Sequence, residues 1–144
     1  MSYVQIWLHC VWSTKHRDCC ITHAFRPELL RHFKDNAKDK KIIIDSINCQ
    51  EDHVHALINM GKQQNVSTIM QYLKGESAFW INNQQILAPG FAWQDDYFAV
   101  SVSHSHVEKV RNYIRNQDQH HKGMSRDDEI EMFISKYGFV LMKD

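Results

Sequence analysis

His53 and His55 stand one residue apart in the run His53-Val54-His55-Ala56-Leu57-Ile58-Asn59-Met60. The run is rich in strand-forming residues, and in a strand successive side chains leave on opposite faces. Val54, Ala56, Ile58 and Met60 then share a uniformly apolar face, while His53, His55, Leu57 and Asn59 share the other. Two imidazoles side by side can hold one divalent ion through nitrogens that are neutral near pH 7. Such pairs also occur by chance, and their ordinary outcome is two half-exposed histidines with no ligand. Farther along, Tyr113 and Gln117 are one helical turn apart and share a helix face. Gln117 can offer a carbonyl oxygen to a hard cation. Lys109, Arg111 and Arg115 flank Tyr113, and nearby cations ease ionisation of a phenol whose usual pKa is about 10. Taken alone, this pattern is an amphipathic helix with a packed tyrosine and a solvated glutamine. Taken together, the two sets suggest a division of labour. A metal held by His53, His55 and Gln117 would polarise a phosphate oxygen. Tyr113 would attack phosphorus and form a covalent phosphotyrosine. Covalent capture conserves the phosphodiester's energy, so a strand can be cut and rejoined without ATP; hydrolysis would need no tyrosine.

The elements that must position these groups follow from periodicity. Val4 to Ser13 reads as a strand. Pro27 suits a first helical turn, and Leu29, Leu30 and Phe33 carry an apolar face toward about Lys40. Ile42 to Cys49 is a second strand, and the short Gln50-Glu51-Asp52 connection makes it a hairpin with His53 to Met60. After a loop at Gly61 to Gln64, Ser67 opens a helix with Ile69, Met70, Leu73 and Phe79 at helical spacing. Asn82 to Asp96, with Pro89-Gly90, is a connecting loop, and Tyr97 to Ser103 alternates as a fourth strand. Ser105 with Glu108 is a capping-box signature opening the helix of Val107, Val110, Tyr113 and Ile114. Ser125 with Asp128 starts a last helix carrying Ile130, Phe133 and Ile134, with Gly138 at its end. The order β-α-β-β-α-β plus two helices predicts an α+β, ferredoxin-like or RRM-like antiparallel sheet with helices on one face. The histidine face is then the helix-free one, to be covered by something else or used as the working surface.

Composition sets the bounds. A chain of 144 residues suits one continuous domain, and 43% hydrophobic with 11% aromatic residues excludes a disordered reading. Apolar runs stop at three or four residues, too short to span a bilayer. The start Met1-Ser2-Tyr3-Val4-Gln5 lacks a basic segment and an apolar signal core, so a cytosolic protein is expected. Cys10, Cys19, Cys20 and Cys49 show neither zinc nor disulfide spacing, as in a reducing compartment. Seventeen basic against seventeen acidic residues give zero net charge, which argues against a general polyanion binder. Local basic sets remain for phosphate contact: Lys15 and Arg17, Lys74, Arg111, Arg115 and Lys122. Trp7 and Trp12 have opposite parity, so they cannot both face the core; Trp93, near Pro89-Gly90, is the best candidate for stacking on an unpaired base, although packing is the commoner role for Trp7, Trp12, Trp80 and Trp93 alike. No RNP pattern of the RRM kind is present.

These residues resemble the single-tyrosine HUH transposases of the small bacterial insertion-sequence (IS200-like) type and their REP-associated tyrosine transposase relatives. The resemblance rests on Asp52-His53-Val54-His55 and Tyr113-Ile114-Arg115-Asn116-Gln117, in order and spacing. Val11 to Arg17, Tyr97 to Ser103, Asp118 to Lys122 and the acidic helix start Asp127-Asp128-Glu129 support it. It implies that residues 1–144 form a single HUH transposase domain acting on single-stranded DNA. Tyr113 would become linked to a 5′ phosphate and leave a free 3′ hydroxyl. His53, His55 and Gln117 would hold Mg²⁺ or Mn²⁺, the latter tolerating imidazole better. His120 and His121 lie seven and eight residues after Tyr113 and could replace or supplement Gln117. Subterminal DNA hairpins are the implied partners, with a homodimer in which the tyrosine helix can complete the partner's site in trans. A bacterial cytoplasmic enzyme, on the nucleoid when bound to DNA, is the implied setting. The alternative is a domesticated protein that holds hairpin DNA without cutting it.

Overall fold

A computed structural model of the chain describes residues 1–85, 87, 89–117 and 126–137, the last segment with part of its side chains. Four strands, β1 (Ile6–Ser13), β2 (Ile43–Cys49), β3 (His53–Met60) and β4 (Phe98–Val102), form one sheet in the order β2-β3-β1-β4. All three pairings are antiparallel. Among the described residues the α-helices are α1 (Arg26–Asp39), α2 (Val66–Gln84), α3 (Val107–Arg115) and α4 (Arg126–Tyr137). This is the α+β, ferredoxin-like arrangement that the element order predicts. β1 starts later than Val4 because its register with β3 begins at Ile6 opposite Met60.

The main core lies between one sheet face and helices α1 and α2. Leu8, Cys10 and Trp12 of β1 and Val54, Ala56 and Ile58 of β3 meet Leu29, Phe33 and Ala37 of α1 and Ile69, Met70, Leu73 and Ile81 of α2. Each large aliphatic side chain so buried contributes roughly 1.5–3 kcal/mol. Asn65 caps α2, its Oδ1 accepting from the Thr68 N–H at 2.9 Å, so the helix begins one residue before Ser67. Phe79, expected on the apolar face of this helix, is 68% exposed. It lies two positions beyond buried Ser77, on the far side of the turn. Trp93, the best of the four tryptophans for a base contact but like them more commonly a packed residue, is buried in this core: it packs edge-on against Trp12, and its Nε1–H donates to Ser77 Oγ at 2.9 Å. Trp12 is likewise in the core, while Trp7 packs on the opposite face, as their parity requires.

That opposite face is not bare. Val107, Val110 and Ile114 of α3 pack on Leu57 and Val102. The expected capping box does not form. His104–His106 makes a 3-10 turn, and the Ser105 hydroxyl lies near Ser103 Oγ and His106 Nδ1. A β-bulge in β2 helps seat α3. Ile44 pairs with Ile58 and Ser46 with Leu57, so Asp45 is the extra residue. Asp45 binds the Arg111 guanidinium at 2.8 and 2.9 Å, and Asn48 donates to the Ile114 carbonyl at 2.9 Å. The guanidinium, first through its hydrogen bonds, holds the Asp45 carboxyl below its usual range. No described helix is long and apolar enough to cross a membrane. Among the cysteines, burial pushes the Cys10 thiol up to about 12, and all four are reduced.

Candidate active site

Strand parity delivers His53 and His55 to the α3 face, as expected, but there they are covered: 2% and 0% exposed. Their ring centroids lie 5.2 Å apart. α3 brings Tyr113 onto the same spot, its ring 5.9 Å from that of its own chain's His55. Gln117, one turn farther, is fully buried with its Nε2 3.3 Å from His53 Nε2. The four residues singled out by type and spacing are thus brought together.

A fifth group joins them from α4. Glu129 is fully buried, with Oε2 3.1 Å from His53 Nε2 and Oε1 2.9 Å from His55 Nε2. The Tyr113 hydroxyl donates to this carboxylate rather than facing cations. Arg111, the expected cationic neighbour, is turned to Asp45 and to Glu108 at 2.6 Å. Glu129 was legible only as part of an acidic helix start. Nothing in its spacing ties it to His53, 76 positions upstream.

His53, His55 and Glu129 each present a ligand atom within 4.8 Å of the others, and all three are buried. Two neutral imidazoles and a carboxylate are a donor set suited to a divalent ion, and Gln117 borders it. Each histidine is also held from behind. His53 Nδ1 lies 2.6 Å from Asp52 Oδ1, and His55 Nδ1 lies 2.8 Å from Nε2 of His9, a fully buried residue of β1. Burial alone would lower the His53 pKa, but hydrogen bonds to Asp52 and Glu129 outweigh it and hold it above the usual value. His9 is driven well below that value, first by burial and then by His55. His9 escaped the reading of the sequence. Its parity on β1 puts it on this face, yet its neighbours Leu8 and Cys10 carry no chemical signal.

The basic candidates divide. Lys15 and Arg115 are exposed. Arg17, in a 3-10 turn where its φ is +55°, binds Asp127 of α4 at 2.5 Å. Lys74 donates to the Asp95 carbonyl at 2.7 Å and lines an open cavity with Tyr97 and Gln71. His120, His121, Lys122, Ser125 and Gly138 lie outside the described residues, as do the side chains of Ile130, Phe133 and Ile134.

Residues 2–117 match the family model described as IS200-like transposases. The chain is 25% identical over 118 residues to the ISDra2 transposase TnpA of Deinococcus radiodurans, covering 78% of this chain and 84% of that one. A crystal structure described as a transposase from Deinococcus radiodurans is similar in fold, with a TM-score of 0.64 and 23% identity over 81% of this chain and 95% of that one. A REP-associated tyrosine transposase bound to a REP hairpin is also similar, at 0.62 and 15% identity, covering 86% and 73%.

Proposed function

The chain belongs to the IS200-like transposase family, and from that premise we propose that it cuts and rejoins single-stranded DNA through a 5′-phosphotyrosine at Tyr113. The observation that carries this reading is the meeting of the Tyr113 hydroxyl with Glu129 beside His53 and His55. His53, His55 and Glu129 would hold Mg²⁺ or Mn²⁺, with Gln117 adjoining as an additional ligand; the ion would polarise a phosphate oxygen and offset charge developing at phosphorus. Glu129 accepts the phenol's hydrogen bond, so it is placed to draw off the proton as the phenol oxygen closes on phosphorus. The new bond joins Tyr113 to the 5′ phosphate. The bond that breaks releases a 3′ hydroxyl, which takes up a proton. Rejoining reverses both changes: a 3′ hydroxyl attacks and Tyr113 leaves.

DNA with hairpins at element ends is the proposed substrate, and the hairpin-bound structural neighbour is consistent with it. Lys15, Arg17 and Arg115 are exposed cations for phosphate contact, Arg17 by exchanging Asp127, and Lys74 is available by leaving the Asp95 carbonyl. Arg111 supports DNA binding indirectly, by anchoring α3, and Lys122 completes the basic set. Residues 1–144 act as one HUH domain in the bacterial cytoplasm, on the nucleoid when DNA is bound. The contact of Tyr113 with its own chain's His55 supports assembly of the site in cis. A homodimer exchanging the tyrosine helix in trans is the second reading, carried by the family resemblance.

The deciding experiment combines a hairpin-bearing single strand with Mn²⁺. Wild type is expected to give a protein–DNA adduct that survives denaturation, and Tyr113→Phe none. No adduct from wild type on any of several insertion-end substrates, with hairpin binding insensitive to chelator and to Tyr113→Phe, would favour a non-cleaving hairpin binder instead.

A further inference from the structure

Across the sheet from His53 stands Ser13, the last residue of β1. The Thr14 N–H donates to the Asp52 carbonyl at 2.8 Å, so Ser13 and His53 form the kind of antiparallel pair that shares no backbone hydrogen bond of its own. In such a pair both side chains leave on the same face, with Cβ atoms about 4.5–5.5 Å apart. Ser13 therefore belongs by position to the histidine side of the sheet. Its backbone is tied in, the carbonyl accepting from the Gln94 N–H at 2.8 Å. Its hydroxyl is not. Ser13 is 1% exposed, and among the described residues its Oγ has no hydrogen-bond partner.

A buried hydroxyl without a partner costs stability, because it has given up water and gained nothing in exchange. Placed beside the candidate ligand set, it is suited to a partner that arrives from outside. We propose that this partner is the scissile phosphate, and that Ser13 is a further substrate-binding residue, donating from Oγ to a non-bridging phosphate oxygen. The inference rests on the DNA-cutting reading given above and deepens it.

The neighbouring groups leave that role open. Glu129 accepts from the Tyr113 hydroxyl, and the Gln117 amide donates to Glu129 Oε1 at 3.4 Å. In the same reading His53 and His55 turn lone pairs toward an ion, so these five groups leave the phosphate short of a donor. A serine hydroxyl rotates to meet an incoming acceptor, and it brings no charge whose burial must be offset. The turn that follows Ser13 supplies an approach: Lys15 is exposed, and the Arg17 side chain is 45% exposed. Both offer charge to neighbouring phosphates of the same strand.

Ser13→Ala removes the donor and the unpaired buried group together, so stability and activity should part. Urea unfolding of the full chain is expected to give a midpoint no lower than wild type, since no hydrogen bond is lost in the free protein. Calorimetric Mn²⁺ affinity is expected to stay within about twofold, because the ion's own donors are untouched. Adduct formation on a hairpin-bearing single strand with Mn²⁺ is expected to slow about 10–100-fold, the usual loss for one donor to a charged oxygen. Strands carrying one sulfur at the scissile phosphate, as separated diastereomers, then locate the contact. Sulfur accepts hydrogen bonds poorly, so for one diastereomer the slowing seen in wild type is expected to shrink by about fivefold or more in Ser13→Ala, and for the other to persist. Equal adduct rates in wild type and Ser13→Ala, sulfur effects that the variant leaves alone, or a rate loss matched by lost Mn²⁺ affinity or a lower midpoint overturns the role of Ser13 alone. No adduct from wild type overturns the DNA-cutting reading, and this role with it.

Discussion

Glu129 changes the site's chemistry more than any other single residue. A pair of imidazoles bordered by an uncharged amide binds hard cations weakly, and a buried carboxylate adds the negative charge that such ions require. Glu129→Gln keeps the size and a hydrogen-bonding group for Tyr113 but removes that charge. Its Mn²⁺ affinity is expected to fall more than about tenfold by calorimetry, with a smaller loss for Gln117→Ala. A larger loss for Gln117→Ala would return the third ligand to the glutamine. At this scale the sequence was legible where the groups lie close along the chain. His53 with His55 and Tyr113 with Gln117 are each related by one structural period, so type and spacing suffice. Glu129 and His9 come from other elements, and only the packing of α4 and β1 brings them in. For Trp93 the commoner outcome of packing held over base stacking: although it lies in a connecting loop, its backbone bridges Thr14 and its ring is buried.

Among the elements, α3 does the positioning. Ile114 is fully buried among Leu57, Val102, Val107 and Val110, directly after the tyrosine it helps to place. Ile114→Ala is expected to cost about 2–5 kcal/mol in denaturant unfolding, the usual range for such a truncation. The adduct yield should fall with it, because the same contact seats Tyr113 and the start of the Gln117 turn. Hydrophobic alternation located the strands within about two residues because one face of each is fully apolar. The cover over the other face was harder to foresee. The short apolar stripe of α3 reads equally well as packing on any neighbour, and its true partner is the sheet's histidine side. The capping-box pattern failed because a 3-10 turn at His104–His106 takes the hydroxyls of Ser103 and Ser105 into its own hydrogen bonds.

For the molecule as a whole, the question is whether one chain makes a complete site. Tyr113, His53, His55 and Glu129 of the same chain are in contact. Mixing Tyr113→Phe with a chain carrying His53→Ala and His55→Ala is therefore expected to restore no adduct. An adduct on the chain lacking the histidines would establish exchange between subunits. The short β-hairpin and the helical crossovers made the topology legible, since four antiparallel strands so connected can be arranged in few ways. Assembly is a property of surfaces, on which zero net charge says little. The extra residue in β2 also sets how the chain tolerates a change of length. Losing Asp45 would restore a strict two-residue rhythm, because Ile44 and Ser46 already face the sides that rhythm assigns them. The ladder with β3 would close without a slip, and the loss would fall on Arg111, whose anchor goes with it. This strand therefore carries a seam where one codon can be dropped without turning the sheet inside out.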